Sequence, residues 1–181
     1  MRRPPTTTYA ILGMLTFAER SGYELGKLIE ISIGYFWSPA KSHIYAELRR
    51  LVELGWATSR EVEQDDRPDK RVYAITEKGH AALREWLNDP EVEPETFRSP
   101  LLLKLFFGDL MDPGALHAQI AEAKRQAEEL LAELKAVEGR IEHEDSLRFP
   151  YMTLRCGLAH ARATRRWARD TLKGLEERSA S

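Results

Sequence analysis

Ser38, Ser42, Tyr45 and Arg49 recur at four-, three- and four-residue steps, so on a helix they share one face, with Lys41 beside them. Hydroxyls suit base edges and phosphate oxygens, a guanidinium grips guanine or phosphate through two parallel hydrogen bonds, and a Tyr ring can lie against a thymine methyl or a sugar. Lys41 adds charge near the helix start, where backbone N–H groups also favour a phosphate. Ile44, Leu48 and Leu51 fall on another sector and give the helix a packing side. Any half-buried surface helix shows such polarity, so this segment alone does not fix its role. A second set follows in Arg67, Lys70, Arg71 and Tyr73, three cations and a phenol suited to a nucleic-acid backbone.

Those side chains need elements to hold them. Leu54-Gly55 reads as a helix stop, and Trp56 to Glu63 as a strand with Trp56, Thr58, Arg60 and Val62 on one face. Residues 64–69 form a polar turn, and Lys70 to Ile75 return with Val72 and Ala74 opposite Arg71, Tyr73 and Ile75. A helix followed by such a hairpin is the order of a winged helix-turn-helix, whose helix enters the DNA major groove. Upstream, Thr8 can cap a helix from Tyr9 to about Ala18, with Ile11, Leu12, Leu15 and Phe17 for a core. Ser21 can cap the next, from Gly22 to about Ile31, with Tyr23 in its first turn, and Pro39 suits the first position of the reading helix.

Several stretches resemble the PadR-like family of bacterial transcriptional regulators. Ala10-Ile11-Leu12-Gly13-Met14-Leu15 with Ser21-Gly22-Tyr23-Glu24-Leu25 is similar to the family's first helix and the opening of its second. Ser42 to Gly55 resembles its recognition helix, with Tyr45, Leu48, Arg50, Leu51 and Leu54-Gly55 in place. Arg71-Val72-Tyr73-Ala74-Ile75-Thr76-Glu77-Lys78-Gly79 looks like the wing strand and the start of the next helix. The likeness covers about the first half of the chain, and the helical remainder resembles the family's larger branch. It implies a homodimeric repressor, C-terminal helices that build the dimer, a phosphate contact through Tyr23, and a small-molecule effector that weakens DNA binding. Two departures bear on this: Tyr45-Ala46 stands where the family commonly has Tyr-Pro, which touches individual base contacts, and the wing is unusually acidic, which touches its insertion.

The formal net charge of −2 is an objection to nucleic acid, since a generic DNA-binding domain is basic. Distribution answers it in part: Arg2, Arg3, Lys41, Arg49, Arg50 and Arg60 meet only Glu47 and Glu53 on the segments expected near DNA. In the wing, Glu61, Glu63, Asp65, Asp66 and Asp69 oppose the cations. The expectation is that Arg67, Lys70 and Arg71 lean toward phosphate while the acids face water.

Prolines at 90 and 94 mark a boundary, giving a winged helix-turn-helix domain over 1–90 and a helical dimerisation domain over 91–181. Thr96 to Phe107 is an apolar helix expected to be buried on several sides. From Asp112-Pro113 a long helix should run to about Asp145, with Leu116, Ile120, Ala123, Ala127, Leu130, Leu134, Val137 and Ile141 in heptad spacing. Phe149-Pro150 should separate it from a last helix, about Tyr151 to Glu177, whose seam is Tyr151, Leu154, Leu158, Ala161, Arg165, Ala168, Leu172 and Leu175. The first long helix is acidic and the second basic, which favours antiparallel pairing. A narrow stripe leaves both under-buried, so a second copy is expected to exchange Leu116, Ile120, Leu130, Leu134, Leu154, Leu158, Ala161 and Leu172 across a twofold axis; a monomeric helical hairpin is the alternative.

The fold expected is therefore mainly α with a small β-wing. Catalytic chemistry finds little support: five dispersed histidines, no Gly-rich phosphate loop, no His-Glu-x-x-His. Cys156 and His160 share a helix face, but two ligands are too few for a zinc site, so no metal or cofactor is expected, and Cys156 reads as a small buried thiol. Trp86, Phe97, Phe106, Phe107 and Trp167 are candidate effector-binding aromatics, or simply core. The absence of a membrane-length apolar run or a signal-type segment points to the cytoplasm. Double-stranded DNA with a palindromic operator is the expected partner; the competing reading is a helical scaffold or antirepressor that senses a ligand or protein and no longer grips DNA.

Overall fold

The computed structural model describes residues 3–63, 70–91 and 97–179, and the chain divides into two compact units, Met1–Pro94 and Glu95–Ser181. In the first, α1 (Thr6–Met14) starts three residues earlier than the capping pattern suggests, after the extended Pro5. Thr8 does not cap it: its hydroxyl is wholly buried and donates to the Glu47 carboxylate instead. Phe17 falls beyond the helix and is exposed, so the core takes Ile11, Leu12 and Leu15 without it. β1 (Arg20–Ser21) leads into α2 (Gly22–Ser32), where Ser21 accepts from the Glu24 backbone N–H while the Glu24 carboxylate accepts from that of Ser21, a reciprocal capping box.

The reading helix is α3 (Lys41–Glu53), two residues shorter at its start than Pro39 suggested, because Ala40 is still extended at ψ 147°. Its end is built as a Schellman motif: Gly55, at φ +70°, donates to Val52, and Trp56 donates back to Leu51. The chain then enters β2 (Ala57–Val62), which pairs antiparallel with β3 (Lys70–Ile75) from Ala57 opposite Ile75 to Val62 opposite Lys70. The two-residue β1 lies along the other edge of β3, giving the order β1-β3-β2. The turn expected over 64–69, with Arg67, lies outside the described residues. α4 (Glu77–Leu87) is capped by Thr76, and its Gly79 lies against the Trp56 carbonyl, where a Cβ would collide with backbone. Ile11, Leu12, Leu15, Leu25, Leu48 and Leu51 form the sealed centre between α1, α2 and α3, each contributing roughly 1.5–3 kcal/mol by its burial.

In the second unit, Ser99 caps α5 (Pro100–Phe106), a 3-10 turn over Gly108–Leu110 follows, and Asp112 caps α6 (Pro113–Ile141). The helix starts later than the expected Thr96, which itself lies outside the described residues, because residues 97–99 are not helical and Ser99 is still extended. α6 ends near Ile141, short of Asp145, and α7 (Arg148–Ser179) takes Phe149 and Pro150 into its first turn, where proline's missing N–H has no intrahelical partner to lose. Leu116 and Ile120 near the start of α6 pack with Ala168, Leu172 and Leu175 near the end of α7, so the two fold back antiparallel. The seam departs from the strict heptad: Leu131, not Leu130, is buried, since a straight helix at about 100° per residue drifts off a seven-residue repeat.

Candidate nucleic-acid interface

α3 is amphipathic as its sequence demands, burying Ile44, Glu47, Leu48 and Leu51 and leaving Lys41, Ser42, Tyr45, Ala46 and Arg49 on the outer side. Ser38 is exposed but precedes the helix, so it belongs to the approach loop and not to the helical face. Glu47 on the inner side is buried because it is fully occupied, accepting from Thr8 and pairing with Arg50 at 3.1 Å. That arrangement locks α3 to α1 and removes Arg50 from the outward cations.

Tyr45 is positioned by a close approach: its ring lies over Gly22 at the start of α2, and any Cβ there would collide with it. The same end of α2 carries Tyr23, which is 59% exposed, with the Lys27 ammonium 4.7 Å from its ring centre. The Tyr23 hydroxyl is lowered below the ordinary phenol range, first by its hydrogen bond with Lys27, then by the charges of Lys27 and Lys41. The first turns of α2 and α3 thus converge on one polar edge holding Tyr23, Lys27, Lys41 and Tyr45, with Ser42 and Arg49 continuing along α3. Sequence reasoning missed Lys27, although it lies one turn after Tyr23, because a lone lysine on a helix has no distinguishing signal.

The hairpin differs from expectation. Tyr73 is 6% exposed and packs in the core with Leu51, Leu83 and their neighbours, so no ring face remains for a ligand; alternation along β3 fails because Val72 is buried too, the strand being covered on both sides. Lys70 does not lean outward but reaches α2, its Nζ 3.0 Å from Glu24. Arg71 pairs with the cross-strand Glu61 at 2.7 Å, and Arg60 with Glu19. Among the described wing acids Glu61 holds a cation, while Lys70 and Arg60 are taken by Glu24 and Glu19 from outside the hairpin; Asp65, Asp66 and Asp69 lie outside the described residues. Glu24 is held near about 2, first by the Ser21 backbone N–H, then by the Ser21 hydroxyl and Lys70. Exposed pairs such as Arg71–Glu61 are screened by solvent and contribute little, so phosphate can compete for them. Near the N-terminus Arg3 is likewise paired, with Asp89 at 2.7 Å. Among the described cations counted toward a local surplus, Lys41 and Arg49 keep their charge unpaired.

The other expected sites change more. Leu116, Ile120, Leu134, Leu154, Leu158 and Ala161 are buried within one chain by the α6–α7 seam, with Leu172 half-buried beside them, so they are not free to exchange with a second copy; Leu130 is half-buried off the seam. The exposed apolar groups described in this unit instead include Leu103, Phe106, Phe107 and Leu110 in and after α5, contrary to the burial expected of α5, and Phe149 and Met152 at the start of α7. Trp86 stacks face to face on Tyr9 at 4.9 Å in the first unit's core, and Trp167 packs in the second unit's core, so neither is open aromatic surface. Phe106 and Phe107 meet edge to face and are exposed, as is Phe97. Arg165 is exposed and Cys156 is exposed, not a buried thiol. Among the described residues, no helix is long and apolar enough to cross a membrane.

Residues 11–85 match the transcriptional regulator PadR-like family, and residues 97–176 match the virulence activator alpha C-terminal family. The chain is 37% identical over 99 residues to the negative transcriptional regulator PadR of Bacillus subtilis, an alignment spanning 55% of this chain and 54% of that protein. It is 29% identical over 184 residues to a probable transcriptional regulator of Mycobacterium tuberculosis, covering 94% of this chain and 97% of that one. The fold superposes on Bacillus subtilis PadR solved in complex with operator DNA with a TM-score of 0.82, at 26% identity, over 94% of this chain and 99% of that one. With a winged-helix unit and a helical hairpin unit each matched in its own half, the chain belongs to the PadR-like family of transcriptional regulators.

Proposed function

We propose that this chain is a sequence-specific DNA-binding repressor that acts as a homodimer in the cytoplasm, without enzymatic activity, and is released from its operator by a small molecule. The carrying observation is the edge where Tyr23, Lys27 and Lys41 meet the outer face of α3, with unpaired Arg49 farther along it. Its width is that of a helix, the hydroxyls and amines along it suit phosphate and base edges, and the packing of Glu47 and Tyr45 fixes its orientation before any ligand arrives. Two copies would present two such helices to successive major-groove turns of a near-palindromic operator, with half-sites a whole number of helical turns apart. Residues 1–90 would carry the DNA-binding role and 91–181 the pairing role. Recovery of genomic fragments by the purified protein tests this: retained fragments should share a palindrome, and affinity should fall as salt rises because phosphate contacts release counterions.

A second reading has one observation in its favour. Lys70 and Arg71 are held by Glu24 and Glu61, which suits a helical scaffold or antirepressor whose wing no longer touches DNA. No retardation of upstream DNA at low salt would favour it over the repressor.

A further inference from the structure

Along α7, Arg162, Arg165, Arg166 and Arg169 stand at i, i+3, i+4 and i+7 and share one stripe. Together with Lys124 and Glu128 of α6 they line an open groove of about 560 Å³, floored by Ala159 and Ala163. Like charges one turn apart on a helix repel, so this stripe costs the hairpin stability unless a countercharge offsets it. The α6 acids at the level of the groove are engaged within α6: Arg125 holds both Glu122 and Glu129, and Glu128, the one described acid lining the groove, lies 3.9 Å from Lys124. Arg169 pairs with its own neighbour Asp170 at 2.8 Å. Among the described residues Arg162, Arg165 and Arg166 enter no ion pair.

We propose that this groove binds a ligand carrying a chain of two or more phosphoryl groups. Guanidinium forks match phosphoryl oxygens bidentately, and the stripe extends about 10 Å at about 1.5 Å per residue, the length of a short phosphate chain. A single monoanion would leave most of the stripe uncompensated. The alanine floor lets such a ligand lie close against the helix, and Lys124 closes the second side. Glu128 sets the polarity of the site's edge, opposing the approach of a further anionic group there.

Isothermal titration of the full-length protein with pyrophosphate, tripolyphosphate and ATP at 150 mM salt tests the site. Saturable binding is expected, with at least a tenfold loss in R162A/R166A and a smaller loss in R162K/R166K, which keeps the charge and gives up the fork. Equal affinity for tripolyphosphate and ATP assigns recognition to the phosphate chain alone, whereas tighter ATP adds a nucleoside contact; both support the proposal. Absence of binding to the wild-type protein overturns it, as does binding that R162A/R166A leaves unchanged with its helix content intact by circular dichroism. Sedimentation of the same variant covers the rival occupant: weaker self-association, together with no pyrophosphate binding by the wild type, would give the groove to the acidic face of a second copy.

Discussion

Arg49 is the residue on which the DNA reading can be pressed hardest, because it is exposed on the outer face of α3 with no acid holding it. Arg49→Ala should cost about 1–3 kcal/mol of operator affinity. Measured across a set of single-base operator variants, the loss should relax preference at one base pair if the guanidinium reads a base, and should be uniform if it holds phosphate. Unchanged affinity would remove it from the interface. Glu24 supports a different measurement. Its folded-state pKa, about 2, lies below the ordinary carboxylate value, so its contribution to stability is present above about pH 4.5 and is lost as pH falls through the folded value. Solvent screens the pair with Lys70, since both side chains are more than a third exposed, and the backbone cap carries most of the effect. Glu24→Gln should lower the midpoint of thermal unfolding at pH 7 and make its decline between pH 4.5 and pH 2 shallower; an unaltered acid limb would show that another group governs it. Arg49, Ser42 and Tyr45 were legible in the sequence because helical spacing alone puts them opposite Ile44 and Leu48. Tyr73 and Lys70 were not: one is buried and the other captured through β1 and α2, neighbours that strand alternation cannot reveal.

At the level of elements, two glycines set how the reading helix and the wing meet their supports. Gly79 lets α4 approach the Trp56 carbonyl, a contact with rigid backbone, so Gly79→Ala should destabilise the protein by about 1–3 kcal/mol, read as a lowered denaturation midpoint. The atoms nearest a Cβ at Gly22 all belong to the Tyr45 ring, which can swing away. Gly22→Ala should therefore weaken operator binding more than it lowers stability; the reverse order would mean that Tyr45 is packing and not recognition. The elements themselves were largely legible from caps and periodicity, Ser21 and Asp112 each marking a helix start, whereas the caps at Thr76 and Ser99 emerge from the structure. The starts of α1 and α3 were displaced because each helix begins after an extended residue, Pro5 or Ala40, that has no side-chain cap to announce it. β1 was missed because two residues carry no period.

For the whole molecule, most of the seam residues that heptad spacing assigned to a dimer are consumed inside the chain, and apolar side chains left exposed for a partner include a group around α5 and another at the opposite end of the hairpin, at the start of α7. Sequence periodicity cannot separate these, since an antiparallel hairpin and a dimer bury the same stripe. Phe106→Glu with Leu110→Glu should shift the protein toward monomer in sedimentation with little change in helix content, whereas Leu158→Ala should melt the hairpin first, costing about 2–5 kcal/mol for the cavity it leaves. A dimer undisturbed by the first pair would place the interface elsewhere. Those bare phenylalanines and leucines also have a bearing on biogenesis. On the proposed pairing, a protomer leaving the ribosome alone carries an adhesive surface that only its twin can cover, so the interval before encounter is its most hazardous moment. Neighbouring ribosomes on one messenger, releasing nascent copies side by side, would shorten that wait.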